Sequence, residues 1–134
     1  MIEYYVSTTK GDLSKEGKSQ MAFARMPPAE KVDLMGLIDY MKQLNQGLSR
    51  GAIAGCLCDF CDTLTDILMD GRRVCIDGLG TFSLSISSEA ADSEEKFSSR
   101  NIRGVKVVFT PCWEMKARLA DITFKRISPP KERL

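Results

Sequence analysis

Three of the chain's five cysteines, the side chains best suited to metal binding or thiol chemistry, occur close together as Cys56-x-Cys58-x-x-Cys61. On a helix, successive residues turn by about 100°, so Cys56 and Cys58 point far apart and only Cys58 and Cys61 are neighbours. The other two, Cys75 and Cys112, belong to different predicted elements. The pattern therefore predicts reduced, buried thiols that pack as small apolar side chains, and it predicts no metal site.

The remaining reactive groups do not indicate enzymatic chemistry. The chain contains no histidine, which is the commonest general base and metal ligand, and it shows no glycine-rich phosphate loop, nucleophile motif or pair of catalytic carboxylates. We therefore expect no enzymatic activity, no cofactor and no small-molecule substrate. The odd cysteine count, the lack of an apolar run of about 18 residues and an N-terminus unlike a signal peptide predict a cytoplasmic protein that contacts no membrane.

Charge is unevenly distributed, although the formal net charge is only +1. Residues 1–71 carry 7 basic and 10 acidic side chains, a net charge of −3, whereas residues 72–134 carry 12 basic and 8 acidic side chains, a net charge of +4. Residues 87–95 hold four acids and no base, and residues 96–118 hold six bases against Glu114 alone. A basic zone beside an acidic patch indicates an electrostatic interaction surface, with an ordinary solvated surface as the alternative.

The elements that position these charges can be predicted from hydrophobic periodicity. At 134 residues and 43% hydrophobic content the chain suits one domain with a packed core. Two short strands, Ile2–Thr8 and Gln20–Met26, flank the polar stretch Lys10–Ser19 and predict a β-hairpin with a loose loop.

A helical hairpin follows. The Pro27-Pro28 pair suits a helix start, so the first helix is expected over residues 28–46, where Gly47 stops it. Ser49 is expected to cap a second helix that runs to Gly71. The apolar stripes of both helices are wide for so short a chain, so we expect a partner subunit to cover part of them. The first stripe comprises Leu34, Leu37, Ile38, Met41, Leu44 and Leu48; the second comprises Ile53, Leu57, Phe60, Cys61, Leu64, Ile67 and Leu68.

After the helices the apolar period changes to two, which predicts half-buried strands around residues 82–87 and 105–109. The polar stretch Ser88–Asn101 between them is expected to form a projecting arm. Thr110 and Pro111 are expected to cap and open a final helix that ends near Asp121. Ile122 shares a face of this helix with Met115 and Leu119, and the alternation of residues 122–127 predicts a short strand as the alternative, after which Pro129 and Pro130 begin a frayed tail. The polar side of the strands should carry Ser83, Ser85, Ser87 and Lys106; the core side should carry Phe82, Leu84, Val105 and Val107.

Two motifs in this order resemble the HU/IHF family of bacterial histone-like proteins. One is Asp77-Gly78-Leu79-Gly80-Thr81-Phe82, and the other is Val107-Val108-Phe109-Thr110-Pro111, with the helical hairpin in front of both. The resemblance covers roughly Pro28–Ile122. It implies an α+β fold in which two chains form an intertwined dimer, with a helical body, a β-saddle and projecting arms.

The resemblance also suggests how the chain is divided. Residues 1–27 would be an N-terminal β-hairpin extension, residues 28–128 the HU/IHF-like DNA-binding domain, and residues 129–134 a flexible tail. The extension is similar to those of longer HU-like proteins. It either covers a sheet edge or adds to the dimer interface, and the sequence leaves both roles open.

The function implied by the resemblance is that of a nucleoid-associated architectural protein. A homodimer would bind double-stranded DNA largely without sequence specificity, and it would organise or bend the duplex by inserting a proline from each arm into the minor groove. The alternative is a structural or protein-interaction module of the same fold with weakened DNA binding. A thiol-based metal or redox protein is a third hypothesis.

The expected DNA-contacting residues fall into four groups. Cations on or beside the arm would reach phosphates or the minor groove, and hydroxyls beside a lysine on the strands would contact phosphates. Two glycines would bring backbone N–H groups close to the DNA, with turn geometry as their alternative role. These residues are Lys96, Arg100 and Arg103; Lys106, Ser83 and Ser85; Gly78 and Gly80; and, on the last helix, Lys116 and Arg118.

Two departures from the family pattern favour weaker binding, weaker bending or a different target. The arm contains no proline, and Arg100-Asn101-Ile102 stands nearest to the family's Arg-Asn-Pro tip, with Ile102 either a wedge between bases or a core residue. The sequence Thr110-Pro111-Cys112-Trp113 replaces the family's Lys-Pro-Gly-Lys. Trp113 is expected either to pack or to stack on a base.

Overall fold

A computed structural model describes residues 1–9 and 21–131, which form a mixed α+β fold with two three-stranded sheets and three α-helices. None of the helices in these ranges is long and apolar enough to cross a membrane. Contacts divide the chain into two compact units: the first comprises Met1–Val32 and Leu119–Leu134, and the second comprises Asp33–Arg118. The elements in chain order are β1 (Ile2–Thr9), β2 (Met21–Arg25), α1 (Leu34–Leu44), α2 (Arg50–Met69), β3 (Val74–Ile76), β4 (Gly80–Ser88), a short 3₁₀ helix (Ser99–Asn101), β5 (Ile102–Pro111), α3 (Trp113–Ala120) and β6 (Phe124–Arg126).

The first unit contains a sheet with the strand order β2-β1-β6. β1 and β2 are antiparallel, as predicted, whereas β6 pairs with β1 in parallel, with Ile2 opposite Phe124. Of the two expectations for residues 122–127, the short strand is therefore confirmed. The predicted loop Lys10–Ser19 lies outside the described residues. The division suggested from the sequence cuts the chain into three consecutive segments, at residues 27 and 128. The compact units differ from it because the pairing of β1 with β6 places both ends of the chain in the first unit.

Helix α1 begins six residues later than the sequence predicted. The side chain of Asp33 accepts a hydrogen bond from the backbone N–H of Gly36 at 2.9 Å and caps the helix, so the predicted start at the Pro27-Pro28 pair is wrong. A proline is compatible with the first helical turn but supplies no acceptor for the free N–H groups there, and Asp33 supplies one.

Helix α2 has the ends that the sequence predicted. Ser49 Oγ accepts from the backbone N–H of Ala52 at 3.1 Å. At the other end Gly71 takes a φ of +78°, and the N–H of Arg72 donates to the carbonyl of Ile67 at 3.4 Å, which closes the helix with a Schellman turn. The two helices are joined by an Arg50–Asp39 ion pair of 2.5 Å. The buried apolar side chains of the described chain are Ile38, Ile53 and Leu68.

The second unit contains an antiparallel sheet with the strand order β3-β4-β5. Thr110 and Pro111 remain in this sheet, opposite Thr81 and Gly80, so the prediction that they open the last helix is wrong. The ladder extends to Pro111, and α3 follows with the carbonyl of Cys112 accepting from the N–H of Lys116 at 3.0 Å.

Candidate nucleic-acid interface

The β4–β5 ladder places the predicted serines and lysine on one side of the second sheet. Ser85 stands directly opposite Lys106, and Ser87 stands opposite Gly104. Direct partners in an antiparallel ladder point to the same side, and residues two apart on a strand do so as well. We call this side, which carries Thr81, Ser83, Ser85, Ser87 and Lys106, the polar face.

A shallow pocket of about 220 Å³ opens at the end of the ladder that leads to residue 89. Its polar lining combines two hydroxyls with one exposed lysine and a glycine that leaves room between them. Such a set can donate hydrogen bonds to an anionic oxygen, and the lysine adds a positive charge. The lining residues are Ser85, Ser87, Gly104, Val105 and Lys106.

The opposite side of the ladder is apolar. The rings of Phe82 and Phe109 pack with centroids 4.9 Å apart, and Leu84 stands opposite Val107. Farther along, the side chains are exposed, with Val105 at 60% and Val107 at 58% of their full accessibility. The prediction that these two valines face the core is therefore wrong for the single chain, although they share the predicted side. We call this side, which carries Phe82, Leu84, Ile86, Val105, Val107 and Phe109, the apolar face.

The β4–β5 connection, residues 89–101, is organised by local hydrogen bonds. The N–H of Lys96 donates to the carbonyl of Ser93 at 3.2 Å, and the N–H of Ser98 donates to the side-chain oxygen of Asn101 at 3.0 Å. Arg100 lies in the 3₁₀ helix that ends at Asn101. Both Lys96 and Arg100 are exposed, so their charges are accessible to a ligand.

Arg103, the third cation predicted to bind DNA, forms an ion pair with Glu89. Glu89 follows the end of β4, and Arg103 is the second residue of β5, so the contact crosses from one strand end to the other. The side chain of Arg103 retains 69% of its accessibility, and that of Glu89 retains 43%. Arg103 is therefore exposed, but its charge is already balanced by a carboxylate.

The two glycines predicted to approach DNA have different surroundings. Gly78 is exposed in the β3–β4 turn with a φ of +82°. Gly80 is buried, and a Cβ built on it would lie 2.3 Å from the carbonyl oxygen of Thr110. Gly80 is therefore needed for the close approach of β4 and β5.

Lys116 and Arg118 are both exposed on α3. Residues two apart on an α-helix point roughly 200° from one another. The two cations therefore leave α3 on nearly opposite sides, and only one of them can join a given surface.

The model of the HU-HIG family, described as an HU domain fused to a wHTH, Ig or glycine-rich motif, matches residues 1–126. The chain belongs to the HU-HIG family. No curated protein matches its sequence.

The solved structures that resemble this HU-HIG chain include a Bacteroides protein and an HU protein. A putative bacterial DNA-binding protein from Bacteroides vulgatus superposes with a TM-score of 0.69 at 14% identity, over 99% of this chain and 51% of that one. The HU-HIG chain thus spans about half the length of the Bacteroides protein. A point mutant of HU from Thermotoga maritima superposes with a TM-score of 0.47 at 20% identity, over 65% of this chain and 97% of that one.

Sequence reasoning missed two residues of the HU-HIG chain that lie on or beside the polar face. Cys75 on β3 stands opposite Thr81, so it shares the polar face, and extending the alternation by one residue adds Arg73 to that face. The alternation of residues 73–76 was the available signal. Trp113, in the first turn of α3, is 75% exposed, so the expectation that it packs is not met within the chain.

The cysteines of the HU-HIG chain differ from their predicted environment. Four cysteines are exposed in the single chain, so the prediction that they are buried is wrong for the single chain: Cys56, Cys58, Cys61 and Cys75. Cys112 is half-buried. No group of three potential metal ligands occurs within residues 1–9 and 21–131.

Proposed function

We propose that this HU-HIG chain binds double-stranded DNA as a homodimer and contacts the sugar-phosphate backbone largely without sequence specificity. The observation that carries the proposal is the division of the second sheet into two faces. The polar face presents hydroxyls beside Lys106, which suit phosphate oxygens. The apolar face lies behind it, and its Ile86, Val105 and Val107 are exposed in the single chain.

The family supports this function. The family is described by an HU domain fused to another motif, and the Bacteroides structure that shares the fold is described as that of a putative DNA-binding protein. The fold likeness alone carries no function. Support comes from its combination with the exposed cations Lys96 and Arg100 on the connection and a polar face on the same strand pair.

The dimer follows from apolar surface that the single chain does not bury. Beyond the apolar face, α1 exposes Met35 at 60% and Tyr40 at 63% of their accessibility, and Leu44 at its C-terminal end is 89% exposed. Burial of one such side chain stabilises an interface by roughly 1.5–3 kcal/mol. A second copy of the chain covers these surfaces in the proposed assembly, as in the saddle-shaped dimer that the family resemblance implies.

The proposed contacts revise the set expected from sequence. Lys96 and Arg100 on the connection supply unpaired charge near the DNA, and Lys106 acts with Ser83 and Ser85 from the polar face. Arg73, the residue before β3, adds a further cation to this face. Gly78, exposed in the β3–β4 turn, can bring its backbone N–H close to the DNA. Gly80 is buried between β4 and β5 and is not among the proposed contacts. From α3 the proposal takes either Lys116 or Arg118, because the helix separates them.

In this proposal the dimer organises DNA as a nucleoid-associated, non-enzymatic protein without a cofactor. Bending is expected to be weak, because residues 89–101 contain no proline to wedge between bases. Ile102, at the start of β5 and 38% exposed, is the apolar side chain that would take that place.

A protein-interaction module is the second candidate, and one observation favours it. The connection carries Glu89, Asp92, Glu94 and Glu95, all of them exposed. Four carboxylates repel a phosphate backbone and attract a basic protein surface.

A binding titration with the full chain separates the two candidates. Two labelled duplexes of unrelated sequence are titrated by fluorescence anisotropy between about 50 and 200 mM salt. DNA binding predicts similar affinities for both duplexes and a decline of log affinity with log salt of about 0.9 per phosphate contacted. If neither duplex is bound at the lowest salt, the interaction module is favoured.

A further inference from the structure

The ion pair between Glu89 and Arg103 lies where the β4–β5 ladder ends. Ser87 stands opposite Gly104, and after a bulge Ser88 stands opposite Ile102. One residue on, the N–H of Glu89 donates to the carbonyl of Asn101 at 2.7 Å. The strand pairing therefore brings the backbones of Glu89 and Arg103, the bulged residue of β5, close together, and their side chains form the ion pair.

The pair sets Arg103 apart from the other cations expected to contact DNA. Lys96, Arg100 and Lys106 form no ion pair with any residue of the described chain, whereas Arg103 is paired and still exposed. A phosphate approaching Arg103 must either displace the Glu89 carboxylate or accept a like charge close by. In both cases part of the attraction is lost, because opposite and like charges at short range nearly cancel.

We propose that Glu89 is an intramolecular competitor for DNA phosphate, which keeps Arg103 from contributing to DNA binding. This inference rests on the proposed DNA-binding function and adds a residue that tunes its strength. Arg103 stays paired with Glu89 in the unmodified chain. Removal of the Glu89 charge makes the Arg103 guanidinium free to bind a phosphate of the DNA backbone.

The test compares two isosteric substitutions that remove the same charge from the connection. Glu89→Gln removes the competitor, and the matched control Glu94→Gln removes a carboxylate that forms no ion pair with any residue of the described chain. Duplex affinity is measured by anisotropy across a salt series. Far-UV circular dichroism and thermal unfolding verify that each variant folds, and Glu89→Ala provides a second variant at the same position.

Glu89→Gln should bind duplex DNA about two- to five-fold more tightly, the range expected when an exposed ion pair no longer competes. Its salt slope should become steeper by about 0.9 for each further phosphate that a released Arg103 neutralises, and the homodimer has two such residues. Glu94→Gln should leave the slope unchanged. Arg103→Gln should leave the affinity near that of the unmodified chain and should abolish the gain when combined with Glu89→Gln.

Two results would overturn the inference while the function stands: equal gains for Glu89→Gln and Glu94→Gln, or a gain that persists in the Arg103→Gln background. Both would assign the effect to net charge and not to the pair. If neither the unmodified chain nor Glu89→Gln binds a duplex at the lowest salt, the proposed function fails and the inference fails with it.

Discussion

Ser85 and Lys106 are direct partners in the β4–β5 ladder, and the adjoining pair, Leu84 and Val107, leaves the other side of the same two strands. A shift of one residue between the strands would turn Lys106 to the side of Leu84 and Val107 to the side of Ser85. In the proposed function the polar face contacts DNA and the apolar face contacts the second subunit. This division leads to predictions that differ between neighbouring residues.

An acidic residue should have opposite consequences on the two faces. Val107→Asp places a carboxylate in the proposed subunit interface and should weaken the dimer by about 3 kcal/mol or more, over 100-fold in dissociation constant. The control, Ser87→Asp on the polar face, should keep the dimer but weaken DNA binding through repulsion. Sedimentation velocity measures the first effect and anisotropy the second. A dimer that survives Val107→Asp would exclude the apolar face as the interface.

Lys106 should neutralise one DNA phosphate per subunit. Lys106→Gln is therefore expected to weaken duplex binding and to make the salt slope shallower by about 0.9 for each phosphate that the variant leaves without a cation, and sequence preference should not change. Lys125→Gln, an equally exposed lysine on β6 of the first sheet, serves as the control and should change neither quantity. Equal reductions in affinity for both variants would mean that net charge, and not the polar face, determines the binding.

Gly80 should tolerate no side chain. Gly80→Ala forces a methyl group against the Thr110 carbonyl and the Phe109 ring, and it should lower the free energy of unfolding by about 1–3 kcal/mol. Gly104→Ala is the control, because a Cβ there lies 3.8 Å from Ser87 Oγ, an ordinary contact distance. Urea denaturation at a fixed protein concentration compares the two. Equal stabilities would show that β4 and β5 separate easily near Thr110.

Local sequence patterns predicted the parts of the fold that depend on local chemistry. Ser49 caps α2 because its hydroxyl lies near the free N–H of Ala52, and the period of two placed Ser85 and Lys106 on one side. The start of α3 was missed because Thr110 and Pro111 carry helix-start chemistry, whereas pairing with β4 keeps them in the sheet.

Contacts between distant residues left no signal in the sequence. The charge pattern included Arg103 among the free cations, because nothing local indicates that Glu89, fourteen positions earlier, stands against it. The parallel pairing of Ile2 with Phe124 likewise joins the two ends of the chain. The cysteines were predicted to be buried because helix periodicity cannot tell which apolar stripe the chain itself covers.

The central claim is that duplex DNA lies against the polar face of the second sheet, and the exposed thiol of Cys75 on that face reports on it directly. A variant that retains Cys75 as its sole cysteine is alkylated with and without a saturating duplex, and a cysteine placed at Ser128 in the first unit of an otherwise cysteine-free chain is the control. The account predicts that DNA slows alkylation of Cys75 severalfold, that high salt restores the rate, and that the control rate does not change. Saturated DNA binding with an unchanged alkylation rate at Cys75 would contradict it.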